Sequence, residues 1–290
     1  MEELTNNNYF SVESNQQFMS PSQFKDFMKC EVEALAKING ETQEEPSKAM
    51  LVGSYVDAYF SGEMEIFAQA NPQIFKKDGT LLKDFEKAND IIKAIESDEL
   101  LMKYLSGKKQ VVMTGEIAGV KFKIKVDSLL PNCIVDQKIM SSIKELIWVE
   151  KDGRNVKVDF VEAFGYDMQG AIYQEIVKQN TGKQLPFVLA VTTKEENPDK
   201  ALIQIDQEYL DRALKLVKEL APHFDAIKKG IVEPKGCGRC PSCRKDLKVA
   251  GVVSYKELFN KVLVGNDYDL AVSNSLAAVL SGAKGIHVTV

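Results

Sequence analysis

Hydrophobic residues recur with two different periods along the chain, and the switch between them marks out its elements. Phe24, Phe27, Met28, Leu35 and Ile38 fall at helical spacing. Before them, Ser20-Pro21-Ser22-Gln23 offers an N-cap, a proline at the first helical position and a glutamine at the capping-box position, and Asn39-Gly40 closes the pattern. A single helix containing Cys30 is predicted. Residues 41–48 read as a loop, 49–60 as a tightly packed helix whose Gly53 permits close approach to a neighbour, and about 81–105 as an amphipathic helix ending at Ser106-Gly107. At Val120 the period drops to two. Val120, Phe122, Ile124 and Val126 alternate with Lys121, Lys123, Lys125 and Asp127, the pattern of a half-buried strand with a charged face. Residues 109–118 supply an antiparallel partner through Ala118-Gly119, and 133–140 the next strand after Pro131-Asn132, which makes a meander. A helix over about 163–180, strands over about 186–193 and 201–206, and a long helix over about 207–229 follow. This order predicts an α/β fold with a mixed sheet.

Charge and cysteine content narrow the chemistry. The 290 residues carry 37 Lys and Arg against 42 Asp and Glu, a net charge of −5, so any nucleic acid must be held by a local positive surface. Apolar residues make up 44%, enough for a buried core. No apolar run reaches the ~18 residues of a membrane span, and MEELTNNNYF lacks the basic and apolar regions of a signal peptide. A soluble cytoplasmic protein without a membrane partner is expected. Two histidines leave little for a histidine triad or a multi-histidine zinc site, and His223 reads as a surface residue. Five cysteines in a reducing compartment are not a disulfide framework. Cys237, Cys240 and Cys243, within PKGCGRCPSCRK, have metal-ligand spacing; the fourth ligand must come from elsewhere, and Cys30 is the best candidate. Cys133 reads as core. Residues 1–17 form a polar lead, and 259–290 an apolar, charge-poor tail with no readable role.

The most informative stretch runs from Asp127 to Lys138. A turn centred between Pro131 and Asn132 pairs Leu130 with Cys133, which places Asp127 opposite Asp136 and Lys125 opposite Lys138. Directly opposed side chains have Cβ atoms ~5 Å apart, and like charges there repel. A hard divalent cation such as Mg²⁺ or Mn²⁺ would neutralise them. The bland alternative is a solvated strand face with alternating charges. The same counting puts Gln110, not Glu116, opposite Asp127, and Glu116 is left out of the site.

Asp127, followed by Asp136-Gln137-Lys138 on the next strand, resembles the PD-(D/E)XK nuclease signature, and Gln169-x-x-x-Tyr173 resembles the QxxxY motif of its RecB-type branch. Over residues 18–258 the chain is similar to phage and prophage exonucleases of the exodeoxyribonuclease VIII type. The resemblance implies a restriction-endonuclease-like core, a mixed central sheet flanked by helices, in which 18–258 is the nuclease domain and 234–245 its cysteine segment. It implies that Asp127, Asp136 and the backbone carbonyl of Gln137 bind Mg²⁺ or Mn²⁺. Lys138 would position or activate the attacking water, while Gln169 and Tyr173 brace the site and touch the substrate strand. Many relatives carry GxxxH as a further ligand motif; here Gly53 is followed at that spacing by Asp57. Iron–sulfur members of the superfamily combine one cysteine near the N-terminus with three near the C-terminus, and SPSQFKDFMKC resembles their N-terminal segment. On that resemblance Cys30, Cys237, Cys240 and Cys243 hold a [4Fe–4S] cluster, favoured over Zn²⁺ although the last gap is shorter than usual. The implied activity is Mg²⁺-dependent digestion of linear duplex DNA from 5′ ends, beside a RecT-like single-strand annealing protein, in a phage-encoded or prophage-encoded cytoplasmic setting. Assembly into a homo-oligomer is left open. Lys121, Lys123 and Lys125, and Arg239, Arg244 and Lys245, are candidates for holding phosphates, against ordinary solubilising charge. Two other readings stand beside this one. The first is an iron–sulfur nuclease acting on single-stranded ends, of the helicase-associated or CRISPR-adaptation type. The second is a catalytically idle, metal-stabilised DNA-binding scaffold, against which the intact Asp127, Asp136 and Lys138 argue.

Overall fold

A computed structural model describes residues 4–42, 45–151, 154–245, 248, 251–252 and 254–256; the tail at 259–290 lies outside the described residues. Two compact units divide the chain, one made of 1–143 with 165–245 and the other of 144–164 with 246–290. In the first unit, α1 (Val12–Gln17), α2 (Pro21–Lys29), α3 (Glu31–Ile38), α4 (Lys48–Ser61) and α5 (Met64–Ala70) precede short 3₁₀ turns at Pro72–Ile74 and Lys83–Phe85, then α6 (Lys87–Glu96) and α7 (Glu99–Tyr104). The meander follows as β1 (Lys108–Ile117), β2 (Val120–Leu129) and β3 (Ile134–Met140). The second unit contributes β4 (Ile147–Lys151), β5 (Arg154–Val158) and α8 (Phe160–Phe164). The first then resumes with α9 (Tyr166–Thr181), β6 (Phe187–Thr193), β7 (Lys200–Gln204), α10 (Gln207–Lys228) and α11 (Pro241–Arg244). Among the described residues no helix is long and apolar enough to cross a membrane.

Three predicted helices are broken, each at an identifiable residue. The first divides at Cys30, which is extended (φ −162°, ψ 116°); its N–H still bonds the Asp26 carbonyl and its own carbonyl accepts the Ala34 N–H. One residue therefore ends α2 and starts α3, with Glu31 and Glu33 favouring the new N-terminus. The helix read over 81–105 divides where Asp98 accepts the Leu101 N–H at 3.1 Å and caps α7. The helix read over 163–180 begins after Gly165, whose left-handed φ of +60° separates α8 from α9. At Gly53 an added Cβ would lie 3.8 Å from Ile139, an ordinary contact, so a close approach does not require glycine there.

The main sheet has the order β1-β2-β3-β6-β7 and is mixed: β3 and β6 are parallel and the other neighbours antiparallel. One face is covered by α4 and α6, whose Leu51, Val56, Ile91 and Ile95 bury against Val135, Val188 and Ala190. Cys133 joins this cluster at 4% exposure, as the alternation of β3 predicts. Across the other face runs α9. An added Cβ on Gly170 would come within 2.5 Å of Phe187, so only glycine lets this helix settle against β6.

The segment read as a polar lead before the domain packs onto β2. Lys123, fully buried, donates to the Tyr9 carbonyl, Ser14 Oγ and Asn15 Oδ1, while Lys228 donates to the carbonyls of Asn15 and Phe18 and to Gln23 Oε1. Burial brings Lys228 down to about 7 and Lys123 to about 8, from an ordinary 10.5. Between the folded and unfolded values the unfolded chain binds more protons, so folding stability rises with pH from about 7 towards 10. The urea midpoint is expected to be higher at pH 9 than at pH 7, with Lys228→Met flattening that rise. An unchanged pH profile in the variant would count against it.

In the second unit β4 and β5 pair as an antiparallel hairpin that sets Trp148 opposite Lys157, whose ammonium lies 5.1 Å from the indole ring. The sequence reading did not include these strands.

Candidate active site

The β2–β3 ladder pairs Ser128 with Val135 and Leu129 with Ile134, and the Leu130 N–H bonds the Cys133 carbonyl at 3.0 Å. One step beyond the ladder stand Asp127 and Asp136, in the register counted from the turn. There Asp127 Oδ2 accepts the Gln137 N–H at 2.9 Å. Both acids open into a cleft of about 530 Å³ that Asp57 of α4 also lines. Burial, then the charge of Asp136 and that of Asp57, hold the Asp127 carboxyl well above its ordinary range. Burial and then Asp136 likewise raise Asp57. Three acids converging in a buried place repel one another unless a cation joins them.

Lys138 Nζ lies 2.5 Å from Asp136 Oδ2 and 4.9 Å from the Tyr166 ring. Burial works to lower this lysine, but Asp136 and Asp127 outweigh it and hold the ammonium above its ordinary value. Asp136 is 2% exposed, and the Lys138 ammonium is the charged partner of its Oδ2. The carboxylate oxygens of Asp136, Asp127 and Asp57 lining one cleft are a donor set that fits a hard divalent cation.

From α9, Gln169 Nε2 donates to Asp136 Oδ1 at 2.7 Å, and Tyr173 OH donates to the Lys125 carbonyl at 2.8 Å. The two side chains, one turn apart, brace β3 and β2 from one helix face. Lys25, which sequence reasoning missed, donates to Gln169 Oε1 at 3.2 Å and so fixes which end of the amide faces Asp136. Burial, then Lys138, bring Lys25 down to about 8. The capping motif that starts α2 was its one sequence signal.

The lysines offered for phosphate binding separate. Lys123 is enclosed by the N-terminal segment, Lys125 pairs with Glu63 at 3.4 Å, and Lys121 is exposed. Also missed were Tyr9 and Phe10, which line the cleft although the sequence places them in the polar lead. Glu116 pairs with Lys121 near the β1–β2 turn, apart from the carboxylates.

Cys30, at the break between α2 and α3, comes together with Cys237, Cys240 and Cys243, all four sulfurs lying within 4.8 Å of one another. Cys30 Sγ is 3.7 Å from Cys240 Sγ and 3.6 Å from Cys243 Sγ, and Cys237 Sγ is 4.0 Å from Cys243 Sγ. Burial works to raise Cys237, but the N–H groups of Arg239 and Cys240 on its sulfur bring it down to about 6. Glu31 and Glu33 accept the N–H groups of Lys235 and Ser242 and tie the cysteine segment to α3. His223, read as a surface residue, is half-exposed and bonds Glu31 at 2.8 Å.

No curated protein sequence matches the chain. The solved structure of a "Putative exonuclease" from Eubacterium rectale superposes with a TM-score of 0.82 at 45% identity, covering 89% of this chain and 98% of that one. Residues 20–246 match the model of a family described as a PDDEXK-like domain of unknown function. With the paired acids, the lysine two residues on and the glutamine of α9 meeting in one cleft, the chain belongs to this family, a branch of the PD-(D/E)XK nucleases.

Proposed function

We propose that this protein is a divalent-metal-dependent DNA exonuclease, acting on linear duplex DNA in the 5′→3′ sense and leaving single strands for an annealing protein. The observation that carries the nuclease chemistry is the buried Asp136 and the half-buried Asp57 and Asp127 lining one cleft, with Lys138 paired to Asp136. Direction, DNA as substrate and the annealing partner rest on the resemblance of the motifs, and exonuclease action also on the likeness to the Eubacterium rectale protein.

Asp127 and Asp136, joined by the Gln137 carbonyl and by Asp57, would hold Mg²⁺ or Mn²⁺. Such an ion supplies Lewis acidity at the phosphate and lowers the pKa of a bound water. Lys138 is held as an ammonium and has no lone pair with which to take a proton, so its part is to orient the attacking water and offset developing negative charge. Gln169 locks Asp136 in one orientation, and Tyr173 holds β2 in place.

End-labelled linear duplex incubated with Mg²⁺ should release mononucleotides, and EDTA should stop it. Blocking 5′ ends should protect the substrate and blocking 3′ ends should not. Release unaffected by chelation would defeat metal dependence, and protection by 3′ blocks alone would reverse the direction.

For the cysteine site we propose a single Zn²⁺ in place of the [4Fe–4S] cluster that the motif resemblance favoured. A tetrahedral ion with ~2.3 Å bonds to sulfur sets neighbouring sulfurs ~3.8 Å apart; three of the separations here are 3.6, 3.7 and 4.0 Å, and all six lie within 4.8 Å. A four-iron cluster spreads its thiolates around a larger body. Anaerobically purified protein should be colourless with one zinc per chain; a brown protein with four irons would overturn the zinc assignment.

A further inference from the structure

Gln110 has a left-handed backbone in the middle of a strand. Its φ is +48°, although the β1–β2 register runs unshifted on both sides, with Lys109 opposite Ser128 and Val111 opposite Val126. No bulge accounts for it. Outside the Ala118-Gly119 turn it is the one described non-glycine residue with positive φ. Such a backbone is strained for glutamine, and strain of this kind persists where the surroundings impose it.

Its side chain adds a second anomaly. Gln110 is 6% exposed, lines the cleft shared by Asp57, Asp127, Asp136 and Lys138, and occupies the register position across from Asp127. Among the described residues its amide has no hydrogen-bond partner. The amide opens to the cleft, so it is held beside the acids at the expense of the backbone and free to meet a group that enters. Both features point to a ligand group that is present only when the site is at work.

The neighbours select the class of that group. Carboxylates in the cleft can only accept, and its lysines are engaged: Lys138 with Asp136, Lys125 with Glu63, Lys37 with Asp26, Lys123 with the N-terminal segment. The Gln110 NH₂ is therefore an uncommitted donor beside the acids, suited to an acceptor-only oxygen. Non-bridging phosphate oxygens are of that kind. We propose that Gln110 is a substrate-contacting residue whose side-chain amide donates to a phosphate oxygen of the DNA strand in the cleft, its strained backbone aiming it there. This inference rests on the nuclease reading of the same site.

The test uses Gln110→Gly, which relieves the backbone and removes the amide. Its thermal midpoint should equal or exceed that of the parent, while kcat/KM on DNA falls about tenfold to a hundredfold, the loss expected for one hydrogen bond to a charged group. DNA affinity should be measured by anisotropy in the catalytically silent Asp136→Asn background, with and without a methylphosphonate at the terminal linkages. The methylphosphonate should weaken binding when Gln110 is present and have little further effect when it is glycine. Wild-type turnover in Gln110→Gly, or an equal methylphosphonate penalty in both proteins, overturns the proposal. Undiminished hydrolysis by Asp136→Asn would instead defeat the nuclease reading itself.

Discussion

Replacing Asp127 with asparagine is expected to abolish hydrolysis while making the metal-free protein more stable. Asp127 is pressed above its ordinary pKa range by burial and by the charges of Asp136 and Asp57, so its ionised form is an electrostatic burden in the folded state. Asparagine keeps the shape and can still accept the Gln137 N–H, but removes a negative charge. A gain on the order of 1 kcal/mol would raise the thermal midpoint of a domain this size by about 2–4 °C. The same substitution weakens the hold on a divalent cation, and losing several kcal/mol of Lewis-acid stabilisation lowers the rate on the order of a thousandfold or more. The sign with pH is fixed by the same raised value. Above the unfolded carboxylate value the folded protein binds the extra proton, so the parent without metal gains stability as pH falls towards that value, and Asp127→Asn should flatten the trend. Differential scanning with EDTA and then with Mg²⁺ checks both halves: the parent should rise on adding Mg²⁺ and the variant should rise much less. A variant that is less stable without metal, or that retains turnover, would contradict the account.

How much of this site could be read in the sequence follows from how local its causes are. The opposition of Asp127 and Asp136 depends only on strand alternation and one tight turn, and counting from Pro131-Asn132 was enough. Gln169 and Tyr173 lie one helical turn apart, which any amphipathic reading preserves, and the meander and the mixed character of the sheet followed from the succession of periods. What stayed hidden depends on contacts distant in sequence. Lys123 has the alternation of a solvent-facing residue, and only the arrival of Tyr9, Ser14 and Asn15 buries it. Lys25 reaches Gln169 across 144 residues. Gln110 stood at the correct register position, but its backbone angle has no sequence signature. The β4–β5 hairpin, by contrast, has a local signal that the sequence reading did not use: Asp152-Gly153 between the short runs IWVEK and RNVKV is a strong turn dipeptide.

Substituting Cys30 with serine should release the cysteine segment and destabilise the chain about as much as a severe core truncation. Cys30 sits at an extended residue between two helices, a conformation that turns its thiol out of both and towards residues 237–243. A metal gripping these four sulfurs closes a loop of roughly 200 residues. By the chain-entropy argument for long cross-links, that constraint alone stabilises by about 5 kcal/mol. The metal–thiolate bonds add to it, since such a site forms only in the folded chain. Glu31 and Glu33 also hold the segment through the Lys235 and Ser242 N–H groups, so serine at position 30 should loosen the segment rather than unfold the core at once. The expected pattern is loss of bound metal, a thermal midpoint lowered by roughly 10 °C or more, and faster trypsin cleavage at the exposed Lys235, Arg244 and Lys245 before any cut in the sheet. Chelation of the parent should reproduce the cleavage pattern, which separates loss of the ion from damage caused by the substitution. Equal metal content and equal cleavage in parent and variant would mean that Cys30 is not a ligand, and that the four sulfurs meet without an ion to hold.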